Sequence, residues 1–138
     1  LFGFDPKVAF VSHSTFGQPV TSRTKHIRKA VDILKEKNVD FEFDGDMQPD
    51  VALNKEYKNL YPFSNIVGSA NILIMPGQHS AAISYKMMKE LGDTKVIGPL
   101  LIGLGLPIEI APLRTSTSEL INLASIAAYS ADVIDYKK

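Results

Sequence analysis

Apolar residues along this chain come in short blocks, and the spacing inside the blocks alternates between two periods. Lys7-Val-Ala-Phe-Val-Ser12 is a compact β-branched and aromatic run, which predicts a buried strand. Ser12-His-Ser-Thr-Phe-Gly-Gln-Pro-Val-Thr21 follows as a polar loop, with the glycine and proline that interrupt regular structure. Ser22 suits an N-cap, and a helix is expected to about Lys37 with Ile27, Ala30, Val31 and Leu34 along one face. Asp40-Phe-Glu-Phe-Asp44 alternates polar and apolar and predicts a half-exposed strand. Pro49 and Asp50 open a short helix to about Tyr57, the proline supplying a pre-set backbone angle. Ala70-Asn-Ile-Leu-Ile-Met75 predicts a second buried strand, stopped by Pro76 and Gly77. Residues 80–91 read as a helix closed by Gly92. Val96-Ile-Gly-Pro-Leu-Leu-Ile102 and Pro107-Ile-Glu-Ile-Ala111 predict two further short strands. Ser116-Thr-Ser-Glu119 is a capping box that opens the last helix, with Leu120, Leu123, Ile126, Ala127 and Ala131 at helical spacing.

Strands alternating with helices define an α/β domain with a mostly parallel sheet. The length of 138 residues fits one domain, enough to bury roughly two-thirds of its unfolded surface. Charge narrows the partners: 15 basic and 15 acidic side chains cancel, which favours neither nucleic acid nor an anionic membrane surface. The absence of cysteine excludes disulfides, thiolate metal sites and a cysteine nucleophile. No apolar run reaches the roughly 18 residues of a membrane span, and no signal peptide is visible, so a cytoplasmic protein is expected. The opening Leu1-Phe-Gly-Phe4 reads as the end of a preceding element, and a longer parent chain is expected.

Ligands in open α/β sheets sit at the carboxyl ends of the strands, which directs attention to the loop after the first strand. Ser12, His13, Ser14, Thr15 and Gly17 precede a helix there. Two readings stay open: free backbone N–H groups that hold a phosphate or pyrophosphate, or a turn whose hydroxyls bond within the loop. Gly103-Leu-Gly105-Leu-Pro107 lacks the third glycine of a dinucleotide fingerprint and lies between two predicted strands, so nucleotide binding by that motif is rejected. Asp40, Glu42, Asp44, Asp46 and Asp50 form an acidic cluster without calcium-loop spacing; the favoured reading is a solvated strand edge plus helix caps. His13, His26 and His79 lack paired ligand spacing, and no metal site is expected. His26 shares a basic helix face with Arg23, Lys25 and Arg28, which is either solvated or meets an anionic cofactor or partner chain.

Several stretches together resemble the phosphate acetyltransferase/butyryltransferase family, specifically the second half of its catalytic domain. They are residues 7–17, Phe43-Asp-Gly-Asp-Met-Gln-Pro-Asp-Val-Ala-Leu53, Ala70-Asn-Ile-Leu-Ile-Met-Pro76, Ile83-Ser-Tyr-Lys86, Gly98-Pro-Leu-Leu-Ile-Gly103 and Ser116-Thr-Ser-Glu-Leu-Ile-Asn122. They cover nearly the whole chain in order. The Ser-His-Ser loop, the Asp-Gly-Asp-Met-Gln segment and the Gly-Pro-Leu-Leu-Ile-Gly strand look closest to the version of the domain that forms the tail of bacterial NADP-dependent malic enzymes. True acetyltransferases more often carry Ser-Phe-Ser-Thr-Lys-Gly and Asp-Gly-Glu-Leu-Gln at these places. The resemblance implies a three-layer α/β/α fold of the isocitrate/isopropylmalate dehydrogenase-like kind.

The resemblance also implies what is altered. The family's Ser-Arg pair, thought to serve catalysis and coenzyme A binding, falls on Pro112 and Leu113, with Arg114 one place along. The catalytic aspartate position falls on Glu119, a vestigial candidate base, and an arginine of the third helix falls on Glu90. Acyl-phosphate chemistry needs cations for phosphate and for developing oxyanion charge, so this fragment is expected not to catalyse acetyl transfer. A regulatory and oligomerisation role is implied instead, with acetyl-CoA as effector; the alternatives are a phosphate acetyltransferase fragment that makes acetyl phosphate and a purely structural dimerisation module joined through the helix from Thr117 to Ala131. The implied ligand-facing residues are Ser12, Ser14, Thr15, Gly17, Arg114, Thr115 and Ser116. NADP and Mg or Mn belong to the implied parent malic enzyme; the implied partners are that catalytic part and further copies of the chain.

Overall fold

The computed structural model describes residues 3–93 and 95–133. Of the opening Leu1-Phe-Gly-Phe4, the first two residues therefore lie outside the described residues. The chain forms two compact units, Leu1–Lys86 and Met87–Lys138.

In the first unit, β1 (Lys7–Val11), β2 (Glu42–Met47) and β3 (Ile72–Ile74) form a fully parallel sheet in the order β2-β1-β3. β1 is central, and its Val8, Ala9 and Val11 are buried, as the unbroken apolar run requires. Parallel neighbours need crossover connections. Helix α1 (Ser22–Glu36) supplies the one from β1 to β2; helix α2 (Pro49–Leu53) and a 3₁₀ turn (Lys55–Leu60) lie between β2 and β3. The helix expected to run to Tyr57 thus ends early and tightens, with the Asn54 N–H donating to Asp50 O at 2.9 Å. The core is Ala9, Met47, Ala52, Ile66 and Ala70, with Phe16, Val51 and Leu73 packed against it. Asn71 clamps the start of the β1–β3 pairing, exchanging bonds with Lys7 at 2.8 and 3.0 Å.

α1 departs from expectation at its first residue. Thr21, not Ser22, is the N-cap: its backbone is extended, and its hydroxyl accepts from the Thr24 N–H at 3.2 Å. The Thr24 hydroxyl accepts in return from the Thr21 N–H at 2.8 Å, so two threonines close a reciprocal box. The inward face is Thr24, Ile27, Val31 and Leu34, whereas Ala30 lies about 100° away on the exposed side. Beyond the Lys37 cap, Asn38 takes a left-handed conformation, φ 54°, which ends the helix.

Helix α3 (Gln78–Leu91) starts two residues before the predicted 80–91 span and closes with the Gly92 N–H on Met88 O at 2.9 Å. It runs across the boundary between the units. In the second unit, the predicted strands at 96–102 and 107–111 are irregular segments without ladder bonds. Their apolar residues Ile97, Leu101, Ile102, Ile108 and Ile110 stay largely exposed. Helix α4 (Thr117–Val133) begins on the predicted capping box: the Glu119 N–H donates to Ser116 Oγ at 3.3 Å, and the Ser116 N–H to Glu119 Oε2 at 2.7 Å. Leu123 is its buried position. Among the described residues no helix is long and apolar enough to cross a membrane.

Candidate functional site

The register of β1 against β2 sets the geometry of the first candidate loop. Phe10 pairs with Gly45, but the next residue, Val11, pairs with Met47. Asp46 is the extra residue of this bulge and has no ladder partner. It is fully buried and serves the loop after β1 instead. Its carbonyl accepts from the Phe16 N–H at 2.6 Å, and Oδ1 accepts from the Gly17 N–H at 3.1 Å. Oδ2 accepts from the Ser14 hydroxyl. The Ser14 N–H donates to Ser12 Oγ at 3.3 Å, and Thr15 and Gln18 exchange backbone bonds at 3.1 Å. Thr15 Oγ1 accepts from the Gln48 N–H at 3.2 Å, and the Gln48 amide donates to His13 O at 3.0 Å.

Each backbone N–H from Ser14 to Gly17 is thus donated inside the chain, and Ser12, Ser14, Thr15 and Gly17 are buried. Of the two readings left open by the sequence, the loop has the form of the internally bonded turn. Phe16 crosses it at φ 49° and packs tilted against Tyr61 and edge-on against Phe63, with ring centroids 5.4 and 4.8 Å away.

The acidic cluster needs a correction. A solvated strand edge was expected, yet Asp44 and Asp46 are buried within β2, and Glu42 is half-buried. Asp44 accepts from the Gly45 and Asn65 N–H groups at 2.9 and 2.7 Å, and Glu42 from the Val67 N–H at 2.6 Å. These carboxylates order the connection to β3; only Asp40 and Asp50 are exposed. Among the described residues no group of three histidines or carboxylates could hold a metal ion. His26 Nδ1 lies 2.9 Å from Ser22 O on the exposed side of α1, and His13 and His79 are exposed.

The second candidate segment, Arg114, Thr115 and Ser116, lies in the other unit. The Thr115 N–H donates to Pro112 O at 3.0 Å, making a turn directly before the Ser116 cap. Leu113 and Arg114 are exposed, and Arg114 makes no ion pair among the described residues. Glu119 is the most committed carboxylate. Lys89 Nζ donates to its Oε1 at 2.7 Å, while the Ser116 N–H and hydroxyl donate to Oε2 at 2.7 and 2.8 Å. The Lys89 ammonium, and then the Ser116 donors, hold this carboxyl down from 4.5 to about 2. A general base works best with its pKa near the operating pH. Glu119 sits far below that and spends both oxygens on structure.

The sign of the linkage follows. A carboxyl lowered in the folded state adds stability above its unfolded pKa of 4.5 and loses it as pH falls toward about 2. Glu119→Gln is therefore expected to flatten the acid side of the stability curve between pH 5 and pH 2, measured by thermal melts. A variant whose acid profile overlays the parent's counts against the ion-paired cap.

The fold and the loop together define a parallel α/β domain whose strand-end turn is braced by a buried aspartate from the neighbouring strand. The sequence profile described as "Phosphate acetyl/butaryl transferase" matches residues 1–128, and the chain belongs to that family. It is 51% identical over 129 residues to the NADP-dependent malic enzyme of Rhizobium meliloti (strain 1021), covering 94% of this chain and 17% of that protein. It is 33% identical over 132 residues to the phosphate acetyltransferase of Clostridium acetobutylicum, covering 95% of this chain and 40% of that one. A phosphotransacetylase structure from Streptococcus pyogenes superposes with a TM-score of 0.85 at 34% identity, over 94% of this chain and 40% of that chain. The α/β class and the identification with the second half of a phosphate-acetyltransferase-like domain therefore hold. The chain spans under half the length of each of these relatives.

Proposed function

We propose that this chain is the non-catalytic regulatory and oligomerisation module of an NADP-dependent malic enzyme and that it senses acetyl-CoA. The observation that carries the reading is Glu119. At the position the resemblance assigns to the family's catalytic acid, the carboxylate is consumed by Lys89 and by the α4 cap, with its pKa lowered to about 2. Beside it, Pro112 and Leu113 offer neither a hydroxyl nor a charge for an acyl-phosphate. Identity reaches 51% with a malic enzyme and 37% with an acetyltransferase, which supports the same choice of parent. In this reading the whole cytoplasmic protein decarboxylates malate to pyruvate with NADP and Mg or Mn held elsewhere in its chain.

Sensing requires a coupling free energy of a few kcal/mol between two states that bind the effector differently. Arg114 is the foremost contact for acetyl-CoA, being exposed and free of ion pairs among the described residues. Thr115 and Ser116 adjoin Arg114 in the same turn, and the loop residues Ser12, Ser14, Thr15 and Gly17 are carried as candidate contacts on the resemblance alone.

Calorimetry with acetyl-CoA, CoA and malate on the intact protein tests this, together with thermal melts, since a ligand of the native state raises its stability by mass action. Selective acetyl-CoA binding that Arg114→Gln weakens supports the sensor. Turnover of acetyl-CoA and phosphate to acetyl phosphate would transfer the assignment to an acetyltransferase, the reading favoured by the superposition on a phosphotransacetylase. Oligomerisation has its own check. Ala127 is half-buried on α4, and Ala127→Glu is expected to lower the oligomer mass in light scattering. An unchanged mass removes that face from the interface.

A further inference from the structure

The formal charge of the chain is zero, yet it is unevenly placed. Within α1, five cations (Arg23, Lys25, Arg28, Lys29 and Lys35) face only two carboxylates, Asp32 and Glu36. Asp32 pairs with Lys35 at 3.8 Å, which leaves Arg23, Lys25, Arg28 and Lys29 without an ion pair among the described residues. Three of these four line one open groove of ≈ 370 Å³, whose other walls are Gly17, Val20, Thr24 and Asp32. Lys25, Arg28 and Lys29 stand three and four residues apart, on one face of a single turn, about 6 Å along the axis. Arg28 is the closest to the loop: a Cβ on Gly17, whose φ is +85°, would collide with its Nη1. The bare Gly17 backbone thus leaves the guanidinium room to lie against the turn.

We propose that this groove binds a small ligand through a diphosphate group. Three like charges confined to one turn repel each other until an anion arrives between them. Arg28 brings a planar fork suited to two phosphoryl oxygens, and Lys25 and Lys29 bring point charges on either side of it. The groove has the capacity of a small-molecule site. A nucleic acid would need the basic stripe to continue, whereas Asp32 and Glu36 end it within the helix. The inference shares Gly17 and one candidate ligand, coenzyme A, with the regulatory reading, but it rests on the α1 cations and stands or falls with them. The diphosphate belongs either to a free diphosphate or nucleotide, or to the diphosphate bridge of a coenzyme A.

The test is calorimetry of the full chain with inorganic pyrophosphate, ADP and CoA, on the parent and on Lys25→Gln/Lys29→Gln, Arg28→Gln and Lys37→Gln. The substituted side chains are exposed, and circular dichroism verifies that each variant keeps its fold. Pyrophosphate is expected to bind, to weaken about tenfold or more in the first two variants, and to be unaffected in Lys37→Gln, which removes one charge outside the groove. Added salt is expected to weaken it further. Binding of all three ligands upholds recognition of the diphosphate itself. Binding of CoA alone, lost with Lys25 and Lys29, upholds the groove and assigns the diphosphate to the coenzyme.

CoA binding that survives both groove variants overturns this site while leaving effector sensing intact. Pyrophosphate binding on a protein indifferent to acetyl-CoA upholds the groove and counts against sensing. A folded protein that binds none of the three overturns the proposal, as does one that takes up only an acidic peptide there.

Discussion

Gly45→Ala is expected to lower the unfolding free energy by about 3 kcal/mol or more, two penalties acting at one position. The residue lies in the middle of β2, paired with Phe10 of β1 at the point where the register shifts. A Cβ there would stand 2.7 Å from Phe10 Cβ and 2.8 Å from Phe10 O, and a strand backbone on the central pair of a sheet cannot retreat from itself. The φ of +155° adds strain for any side chain whatever the space. Chemical denaturation of parent and variant measures the difference. A loss below about 0.5 kcal/mol, the size of an ordinary surface change, would show that the two strands can part at this point without harm.

Asp46→Ala is expected to destabilise by about 3 kcal/mol, through a different mechanism. Beyond the small void the carboxyl leaves, two donors lose their acceptor in a site closed to water. The Ser14 hydroxyl and the Gly17 N–H both point at this carboxylate, which has no exposed surface. Each buried donor left without a partner costs about 1–3 kcal/mol. Asp46→Asn keeps an oxygen for one of the two donors and is expected to lose about half as much. A double-mutant cycle with Ser14→Ala separates the pair from its surroundings: the two losses are expected to sum to more than the double mutant's. Strict additivity would sever the Ser14–Asp46 link.

How much of this was legible in the chain depends on what kind of signal each element leaves. β1 and β3 were visible as apolar runs, Val8-Ala-Phe-Val11 and Ile72-Leu-Ile74, but only β1 is buried as such a run implies; β3 was expected buried, and its Ile72 and Ile74 are exposed. The start of α4 was visible to the residue, because Ser116 and Glu119 carry a spacing that has one structural use. The N-cap of α1 was missed by one position because threonine at the cap and threonine three residues on close a capping box with less familiar chemistry.

β2 was placed two residues early for a physical reason. Residues 44–46 read Asp-Gly-Asp, the composition of a turn, and only tertiary partners turn them into strand: the Asn65 N–H for Asp44, and the loop after β1 for Asp46. The same blindness to partners explains the opposite error at 96–102 and 107–111. Apolar, β-branched residues give a segment reason to be buried, but a strand also needs a neighbour's N–H and C=O groups, and those segments have no ladder partner among the described residues.

The candidate loop was found from the rule that places ligands at strand ends, which locates a position but says nothing of what the hydroxyls there do. That Ser12, Ser14 and Thr15 turn inward follows from Asp46 and Gln48, about thirty residues later. The one sequence hint was the acidic character of the second strand itself. The groove along α1 was half-legible: the basic face was plain, but its union with Gly17 depends on the turn.

The bulge at Asp46 also orders events in time. A turn of six residues is ordinarily the quickest thing a chain can make, closing within itself before distant segments meet. This one is fastened across a gap of 32 residues, by the Ser14–Asp46 bond, and its Phe16 and Gly17 amides find their acceptors only after β2 has come alongside β1. The segment that is shortest in sequence is therefore among the last to become rigid. Its arrival reports that the long parallel crossover through α1 is complete.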